Sequence, residues 1–262
     1  MDPTLAAVRH AVRMAPSRRL APVRGAVRGA ERGAARGAVL AVAALLLSAC
    51  ADGPGTVDPS GVDGLDIPTP RPDPGDFVEG IDNPYLPLQP GNEWVYEATG
   101  EEPRTVTVTV TDATREVAGV TTTVVRDVVT GPDGEMIEET WDWFAQDRDG
   151  NVWRFGEDTT WEAGVDGAEA GLAMPATPRV GDGYQQEFYE GVAEDQARVL
   201  SLSEERQLET GSYEDLLAIE DTTPLQPGLV ELTYYARGTG LVSRETLSGG
   251  ADQLELVSIT RP

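Results

Sequence analysis

A strictly alternating stretch decides the fold of this chain, and it reads Val106-Thr107-Val108-Thr109-Val110-Thr111. Side chains of a β-strand point to opposite faces in turn, so this period of two places the valines on one face and the threonines on the other. Gly119 then separates this stretch from residues 120–130, which are again rich in valine and threonine. Because β-branched residues favour strands and glycine favours a turn, the two stretches predict an antiparallel pair.

The rest of residues 77–262 continues this pattern in both directions. Short apolar or alternating stretches are separated by Gly, Pro, Asn and Asp, which mark turns. The strands predicted in this way cover residues 93–98, 104–111, 120–130, 136–146, 151–156, 185–189, 198–203, 216–221, 229–236, 240–246 and 253–260. Residues 164–182 are predicted as a loop, and helix is limited to a turn or two within 192–198 or 213–217. The predicted fold class is mainly β, a curved antiparallel sheet, barrel-like or sandwich, with little helix.

The N-terminal segment has the features of an export signal. Residues 1–37 contain eight arginines and two acids, and the apolar residues 38–49 lead directly to Cys50. This apolar core of about twelve residues is too short to span a bilayer, which needs about 20. The run Leu47-Ser48-Ala49-Cys50 resembles the lipobox of bacterial lipoproteins, which implies removal of residues 1–49 and a thioether-linked lipid on Cys50. Translation from Met1 and translation from Met14 both stay open.

Composition divides the predicted mature chain into two parts. Residues 50–76 hold the lipidated Cys50 and a stretch dense in Gly, Pro and Asp, which lacks the apolar surface needed to offset its ordering entropy. We therefore predict a tether there. Residues 77–262 form a single mainly β domain that is large enough to bury its own core.

Residue counts exclude many kinds of chemistry. The mature part carries 12 arginines against 43 acids, and the chain contains no lysine. This strongly acidic balance argues against binding nucleic acid, which requires a basic surface. The only histidine, His10, lies in the leader, and Cys50 is the only thiol. Imidazole-dependent nucleophiles, Cys/His zinc sites and internal disulfides are therefore excluded, whereas carboxylates, tyrosine, arginine and oxygen-ligated ions remain.

The densest aromatic segment supplies the candidate binding residues. Four of the five tryptophans fall between Trp141 and Trp161. A two-residue turn at Asp149-Gly150 would place Gln146 opposite Trp153 and Phe144 opposite Phe155. We predict that one face then presents Trp141, Trp143 and Asp147, or the other Trp153, Asp142 and Gln146, to a sugar or another flat ligand. The alternative is that these aromatic side chains fill the core.

No metal site is predicted, and no cofactor. Asp147-Arg148-Asp149-Gly150-Asn151 has some features of a calcium loop, but with Gly150 at the sixth position the first and twelfth ligands become Ala145 and Gly156. A hairpin turn therefore explains this segment better, and Ca²⁺ held by other carboxylates stays open. Adjacent acids such as Glu138-Glu139 and Glu157-Asp158 send their side chains to opposite faces of a strand, which is typical of a solvated surface.

Several longer strings carry a resemblance to one family. They are Asn83-Pro84-Tyr85-Leu86-Pro87-Leu88 with Pro90-Gly91 and Trp94-Val95-Tyr96, then Trp143-Phe144-Ala145-Gln146-Asp147 with Gly150-Asn151-Val152-Trp153, then Phe155-Gly156-Glu157-Asp158 and residues 161–168, and finally Tyr234-Tyr235-Ala236 with Gly238, Gly240 and Leu241-Val242. The chain resembles a group of uncharacterised actinobacterial secreted proteins and lipoproteins over essentially all of residues 77–262. The resemblance implies no activity and no catalytic residues.

These observations favour a lipid-anchored protein on the extracytoplasmic side of the cell membrane. The first hypothesis is a module that binds a small ligand, a glycan or an envelope partner and is not an enzyme. The second is a carboxylate-dependent hydrolase, similar to a glycosidase, which requires two carboxylates converging in a cleft. The third is a structural envelope protein, which predicts an exposed apolar patch.

Overall fold

The structure is a computed structural model that describes residues 72–100 and 102–262. The predicted signal peptide 1–49, the lipid site Cys50 and most of the predicted tether lie outside the described residues. The last tether residues, Pro74–Asp76, form one turn of 3-10 helix capped by the Asp73 side chain. Arg148 donates to the Gly75 carbonyl at 2.6 Å and lies 3.2 Å from the Asp76 carboxylate. The folded part therefore includes these residues as well.

Fourteen strands make up the part of the chain that the structure describes. They are β1 (Phe77–Val78), β2 (Glu93–Thr99), β3 (Arg104–Val117), β4 (Val120–Thr130), β5 (Met136–Asp147), β6 (Val152–Glu157), β7 (Trp161–Glu162), β8 (Gly171–Met174), β9 (Gly183–Gln185), β10 (Gln196–Leu208), β11 (Gly211–Thr222), β12 (Val230–Ala236), β13 (Gly240–Ser248) and β14 (Gln253–Thr260).

All of these strands belong to one antiparallel sheet with the order β7-β6-β5-β4-β3-β2-β14-β13-β12-β11-β10-β9. Most neighbours in the sheet are also neighbours in sequence. The exception is the central pair of β2 and β14, which joins the two halves of the meander. Strand β1 pairs with β5, and β8 pairs with β6. Over residues 72–100 and 102–262 the ladder does not close into a barrel, but an isolated bridge joins Glu169, before β8, to Phe188, after β9.

Two clusters of buried side chains stabilise the sheet. The larger cluster draws on both halves of the meander and includes Tyr85, Trp94, Val125, Ile219 and Leu256. The smaller cluster lies at the β3–β6 end and holds three of the tryptophans. Arginine covers exposed edges of both clusters, because the Arg115 guanidinium lies 4.0 Å from the Trp143 ring centre and that of Arg206 lies 3.7 Å from the Tyr234 ring centre. Such stacking suits a chain in which every cation is arginine.

The predicted fold class is confirmed as a mainly β, curved antiparallel sheet, with one open sheet in place of a closed barrel. Three local predictions are wrong. The predicted strand 185–189 keeps only Gln185, at the end of β9. The other two are the helical turns and one loop. Residues 192–198 and 213–217 do not form helical turns, because the long paired strand β10 begins at Gln196 and all of 213–217 belong to β11. The predicted loop 164–182 contains the short strand β8, which forms because β6 offers it a free edge. In both places strand pairing overrides local propensity.

The predicted register of the β5–β6 hairpin is also wrong, by one residue. Gln146 pairs with Val152 and Phe144 with Arg154, whereas Ala145 pairs with Trp153. The reason is the turn: the amide of Asp147 donates to the Asn151 carbonyl, so three residues, 148–150, form the loop. Gly150 takes the left-handed conformation that such a loop requires, with φ of 90°. One added loop residue moves Val152, Trp153 and Arg154 to the opposite face, whereas an irregularity further along β6 returns Gly156 and Glu157 to the partners of the predicted register.

Candidate binding cavity

A cavity of about 220 Å³ lies between the two halves of the curved sheet. Its apolar wall comes from the segment before β2 and from strands β2, β3, β4, β5 and β13, and its main members are Leu88, Trp94, Val108, Val125, Phe144 and Leu241. Small-ligand sites are typically apolar concavities that contain a few well-placed polar groups. The charged part of this wall consists, among the described residues, of six carboxyl groups and two arginines: Asp127, Asp142, Glu187, Asp195, Asp221, Glu231, Arg154 and Arg244.

The first polar group is centred on Arg154 of β6, whose side chain is 13% exposed. Its guanidinium forms ion pairs with Asp142 of β5 and with Glu187 from the segment after β9, and it lies 3.0 Å from the Glu157 carboxylate. Burial alone would lower the pKa of Arg154, but attraction to Asp142, Glu187 and Glu157 outweighs it and the pKa rises. Arg154 therefore stays charged and holds three elements of the sheet together.

An irregularity in the β5–β6 ladder brings these groups to the same face. Phe144 pairs with Arg154, but Trp143 pairs with Gly156, so one residue of β6 is skipped. This bulge places Glu157 opposite Asp142, next to Arg154. In a regular strand, Arg154 and Glu157 would point to opposite faces. The bulge is therefore what assembles the arginine with two of its carboxylates.

Glu187 reaches Arg154 because the chain after β9 packs directly on β8. A Cβ atom added at Gly171 of β8 would lie 2.2 Å from the Gln186 carbonyl oxygen. The amides of Gln186 and Glu187 both donate to the Asp195 carbonyl, at 2.7 and 3.4 Å. The Glu187 side chain in this segment is almost completely buried.

Asp127 of β4 lies beside this group and is 6% exposed. Its Oδ1 is buried and has no hydrogen-bond partner among the residues that the structure describes. Burial, followed by repulsion from Asp142, raises the pKa of Asp127 well above its usual value, although Arg154 opposes the change. A buried acceptor without a donor is costly, so this oxygen is a position where a bound molecule would gain a hydrogen bond.

A second polar group lies on β11, β12 and β13. The Arg244 Nε lies 3.6 Å from the Glu231 carboxylate, and both residues are buried. Asp221 accepts a hydrogen bond of 2.5 Å from Thr233 through Oδ2. Burial raises the pKa of Asp221 to about 7, the Thr233 hydrogen bond opposes this, and Glu231 adds to it. This part of the cavity therefore contains a carboxyl group that exchanges its proton near neutral pH.

Tyr96 of β2 lies between the two groups. Its hydroxyl donates to the Leu241 carbonyl at 3.2 Å. Burial raises the pKa of Tyr96, and the next contribution comes from Asp127, whereas Arg244 acts in the opposite direction. Tyr96 and residues of both polar groups line the same cavity.

The six predicted ligand-binding residues are placed very differently. Trp143 and Trp153 are buried in the smaller cluster, and Trp141 is half-buried against it with Arg126 over its ring. The predicted exposed aromatic faces are therefore wrong, because the corrected register turns Trp153 to the same side as Trp143. A ligand-binding role stays a prediction, and of the six only Asp142 lines the cavity.

Gln146 and Asp147 form hydrogen bonds that fix the chain. Gln146 accepts from the amides of Asp82 and Asn83 at 3.0 and 2.9 Å. Asp147 accepts from the amides of Asp149 and Asn151, from the Asn151 side chain and from the Trp153 indole, at 2.9–3.0 Å. The interpretation of this segment as a hairpin turn is thus confirmed. Within residues 72–100 and 102–262, no group of three His, Cys, Asp or Glu side chains is arranged to hold a metal ion.

The sequence analysis did not identify most of the polar residues that line the cavity. Asp127 did carry a signal, since it shares the period of two with Val125 and Val129, which are buried. An acid on the buried face of an apolar strand is a stronger indicator than adjacent acids in a loop. Arg154, Asp221, Glu231 and Arg244 carried no comparable signal, because their convergence depends on the long-range pairing of β2 with β14.

Comparisons with known proteins show similarity in shape only. The chain matches no protein-family model and no curated protein sequence. It is similar to the crystal structure of a candidate exported protein with a YmcC-like fold from Bacteroides fragilis, with a TM-score of 0.43, 13% identity and coverage of 68% of this chain and 99% of that one. It is also similar to a candidate lipoprotein from Parabacteroides distasonis, with a TM-score of 0.41, 10% identity and coverage of 67% and 98%. At these values the similarity carries no argument about function.

Within residues 72–100 and 102–262, no helix has the length and apolar character that crossing a bilayer requires.

Proposed function

We propose that the protein is a lipid-anchored extracytoplasmic protein whose β domain binds one small ligand in the cavity between the two halves of its sheet. The observation that carries this proposal is the cavity itself, an apolar space of about 220 Å³ that contains the buried carboxylate of Asp127. Buried charged groups are costly in a core. Their concentration around one space is therefore better explained by ligand binding than by folding.

The location rests on the sequence around Cys50. A basic leader, a short apolar core and Leu47-Ser48-Ala49-Cys50 supply the features of a lipoprotein signal. Membership of the actinobacterial family of secreted proteins and lipoproteins stays a prediction that agrees with this location. The tether of residues 50–76 would hold the β domain at a distance from the membrane.

Cys50→Ser is expected to release the protein from membranes. Serine cannot form the thioether to the lipid, so the variant should move almost completely from the membrane fraction to the soluble fraction. Immunoblotting of both fractions measures this, with Ser48→Ala as a control that keeps the cysteine. Unchanged membrane retention of the Cys50→Ser protein would contradict the lipid anchor.

Filling the cavity is expected to abolish ligand binding. Ala173 lines the cavity, and Ala173→Phe would place a ring in it. Small fragments should raise the melting temperature of the wild-type protein, because a ligand at 100 times its Kd adds about 2.7 kcal/mol to the free energy of unfolding. The fragments active on the wild type should have no effect on Ala173→Phe.

The matched control is Ala113→Phe, the same substitution at an exposed position of β3. It should respond to the active fragments as the wild type does. If no fragment stabilises the wild type, or if both phenylalanine variants respond equally, the cavity is not a ligand site.

A carboxylate-dependent hydrolase is the second candidate function. The observation that favours it is Asp221, a cavity residue whose pKa is raised to about 7, as a general acid requires. The fragment experiment separates the two functions if the fragments include simple glycosides and esters. A binding protein returns them intact, whereas a hydrolase returns their products.

A further inference from the structure

The charged groups that line the cavity leave an excess of negative charge there. Of the described residues around it, six carboxyl groups face only two arginines, and the carboxylates outnumber the arginines by four to two even when Asp127 and Asp221, whose pKa is raised, hold protons. Arg154 is shared among Asp142, Glu187 and Glu157, and Arg244 lies beside Glu231. Both cations are therefore already close to carboxylates. An anionic ligand would have to compete for them and would be repelled by the remaining carboxylates.

Asp127 is the second and independent observation. It is 6% exposed, and its Oδ1 has no hydrogen-bond donor within residues 72–100 and 102–262. The charged residues that act on Asp127 include the acids Asp142, Glu157 and Glu138, and Arg154 is the cation that opposes them. A donor with a positive charge would satisfy the oxygen and reduce this repulsion at the same time.

The apolar wall requires that the ligand also has an apolar part. Leu88, Val108, Val125 and Phe144 surround the same space as Asp127. Asp127 lies on β4 between Val125 and Val129, so its carboxylate projects from an apolar face. A bare metal ion would not use such a wall, whereas an organic cation with a hydrocarbon body would fill it.

Resting on the ligand-binding function proposed above, we infer that the cavity binds a small organic cation, an amine with an apolar body, whose ammonium group hydrogen-bonds to Asp127. The chain has a formal net charge of −25. This acidic balance also favours a positively charged ligand, because it concentrates cations near the protein.

Three nearly isosteric probes test the charge of the ligand on the full-length protein: cyclohexylmethylamine, cyclohexylmethanol and cyclohexanecarboxylate. Binding is measured by calorimetry and by tryptophan fluorescence at pH 7.5, since Trp94 lines the cavity. The amine should bind at least about ten times more tightly than the alcohol, because a hydrogen bond to a charged group contributes about 1.5–3 kcal/mol. The carboxylate should bind more weakly than both.

Asp127→Asn tests the position of the ammonium group. It should weaken binding of the amine about tenfold or more and leave binding of the alcohol within about threefold. The control is Glu97→Gln, which removes one negative charge from an exposed position of β2 and should change neither probe. If Asp127→Asn does not fold, the comparison of the three probes on the wild type decides the question alone.

The outcomes separate this inference from the function on which it rests. Equal or tighter binding of the alcohol or the carboxylate would show that the cavity does not prefer a cationic ligand. The proposal that the cavity binds ligands would then still stand. Binding of the amine with the same affinity to wild type and Asp127→Asn overturns the role of Asp127. If none of the three probes binds, the inference fails, and the fragment experiment with Ala173→Phe then decides separately whether the cavity binds other ligands.

Discussion

Arg154→Met is expected to lower the free energy of unfolding by about 3–5 kcal/mol, the usual cost of removing one partner from a buried ion pair. Methionine is also a long, unbranched side chain, but it carries no charge. Asp142, Glu157 and Glu187 would then lose the cation that they share. Because domains of this kind are stable by about 5–15 kcal/mol, this loss is a large part of the total. Urea denaturation followed by circular dichroism measures it.

A surface ion pair supplies the matched control. Arg198 of β10 lies 2.6 Å from the Glu220 carboxylate, but its side chain is 53% exposed. Arg198→Met removes the same chemical group and should cost less than about 1 kcal/mol, because solvent screens an exposed pair. Similar small losses in both variants would show that the Arg154 group does not hold the sheet together.

The effect of Arg154→Met should depend on pH in a defined direction. In the variant, buried carboxylates without their cation bind protons more readily than the same groups in the unfolded chain. The folded variant therefore binds more protons than the unfolded one, and its stability rises as the pH falls. The difference from the wild type should be largest near pH 8 and smaller near pH 5. A difference that is constant over this range would contradict the electrostatic explanation.

The strands could be predicted because the sequence repeats one physical signal. Stretches such as 104–111 and 120–130 alternate β-branched residues with polar ones, and short polar segments separate them, so the pattern is contained in local sequence. The sheet order depends on something else. The pairing of β2 with β14 joins residues more than 150 positions apart, and no local pattern indicates it.

The polar cavity could not be predicted for the same reason. The sequence predicts that Asp142 shares a face with Trp153 and Phe155, whereas Asp142 lines the cavity together with Arg154, which pairs with Phe144 where Phe155 was expected. That change follows from the three-residue loop, and the bulge then keeps Glu157 opposite Asp142 and beside Arg154. The sequence pattern also indicates that acids form a solvated surface, because the mature part contains 43 acids and most of them can face the solvent. Burial separates Asp127, Asp142, Glu187 and a few others from the exposed acids, and of these Asp127 carried a sequence signal, its place between Val125 and Val129.

Gly156→Ala is expected to lower the free energy of unfolding by about 3 kcal/mol or more, since strained backbone and overpacking each cost about 1–3 kcal/mol. Gly156 has a φ of 148°, which other residues rarely adopt. An added Cβ would lie 2.5 Å from the Trp161 carbonyl oxygen and 2.8 Å from the Trp143 ring. The chain would have to move at the bulge that places Glu157 opposite Asp142.

Gly134→Ala separates the two causes. Gly134 has a φ of 79°, but an added Cβ there meets no atom within 4 Å. This variant should show the cost of the unfavourable backbone conformation alone, about 1 kcal/mol. Gly156→Ala should in addition disturb the environment of Trp143, which near-ultraviolet circular dichroism and tryptophan fluorescence detect. Equal losses in the two variants, with unchanged tryptophan signals, would mean that the contact of Gly156 with Trp143 and Trp161 does not determine the bulge. A larger loss in Gly156→Ala, with changed tryptophan signals, would show that the bulge requires glycine at position 156. The assembly of the Arg154 group would then depend on this one residue.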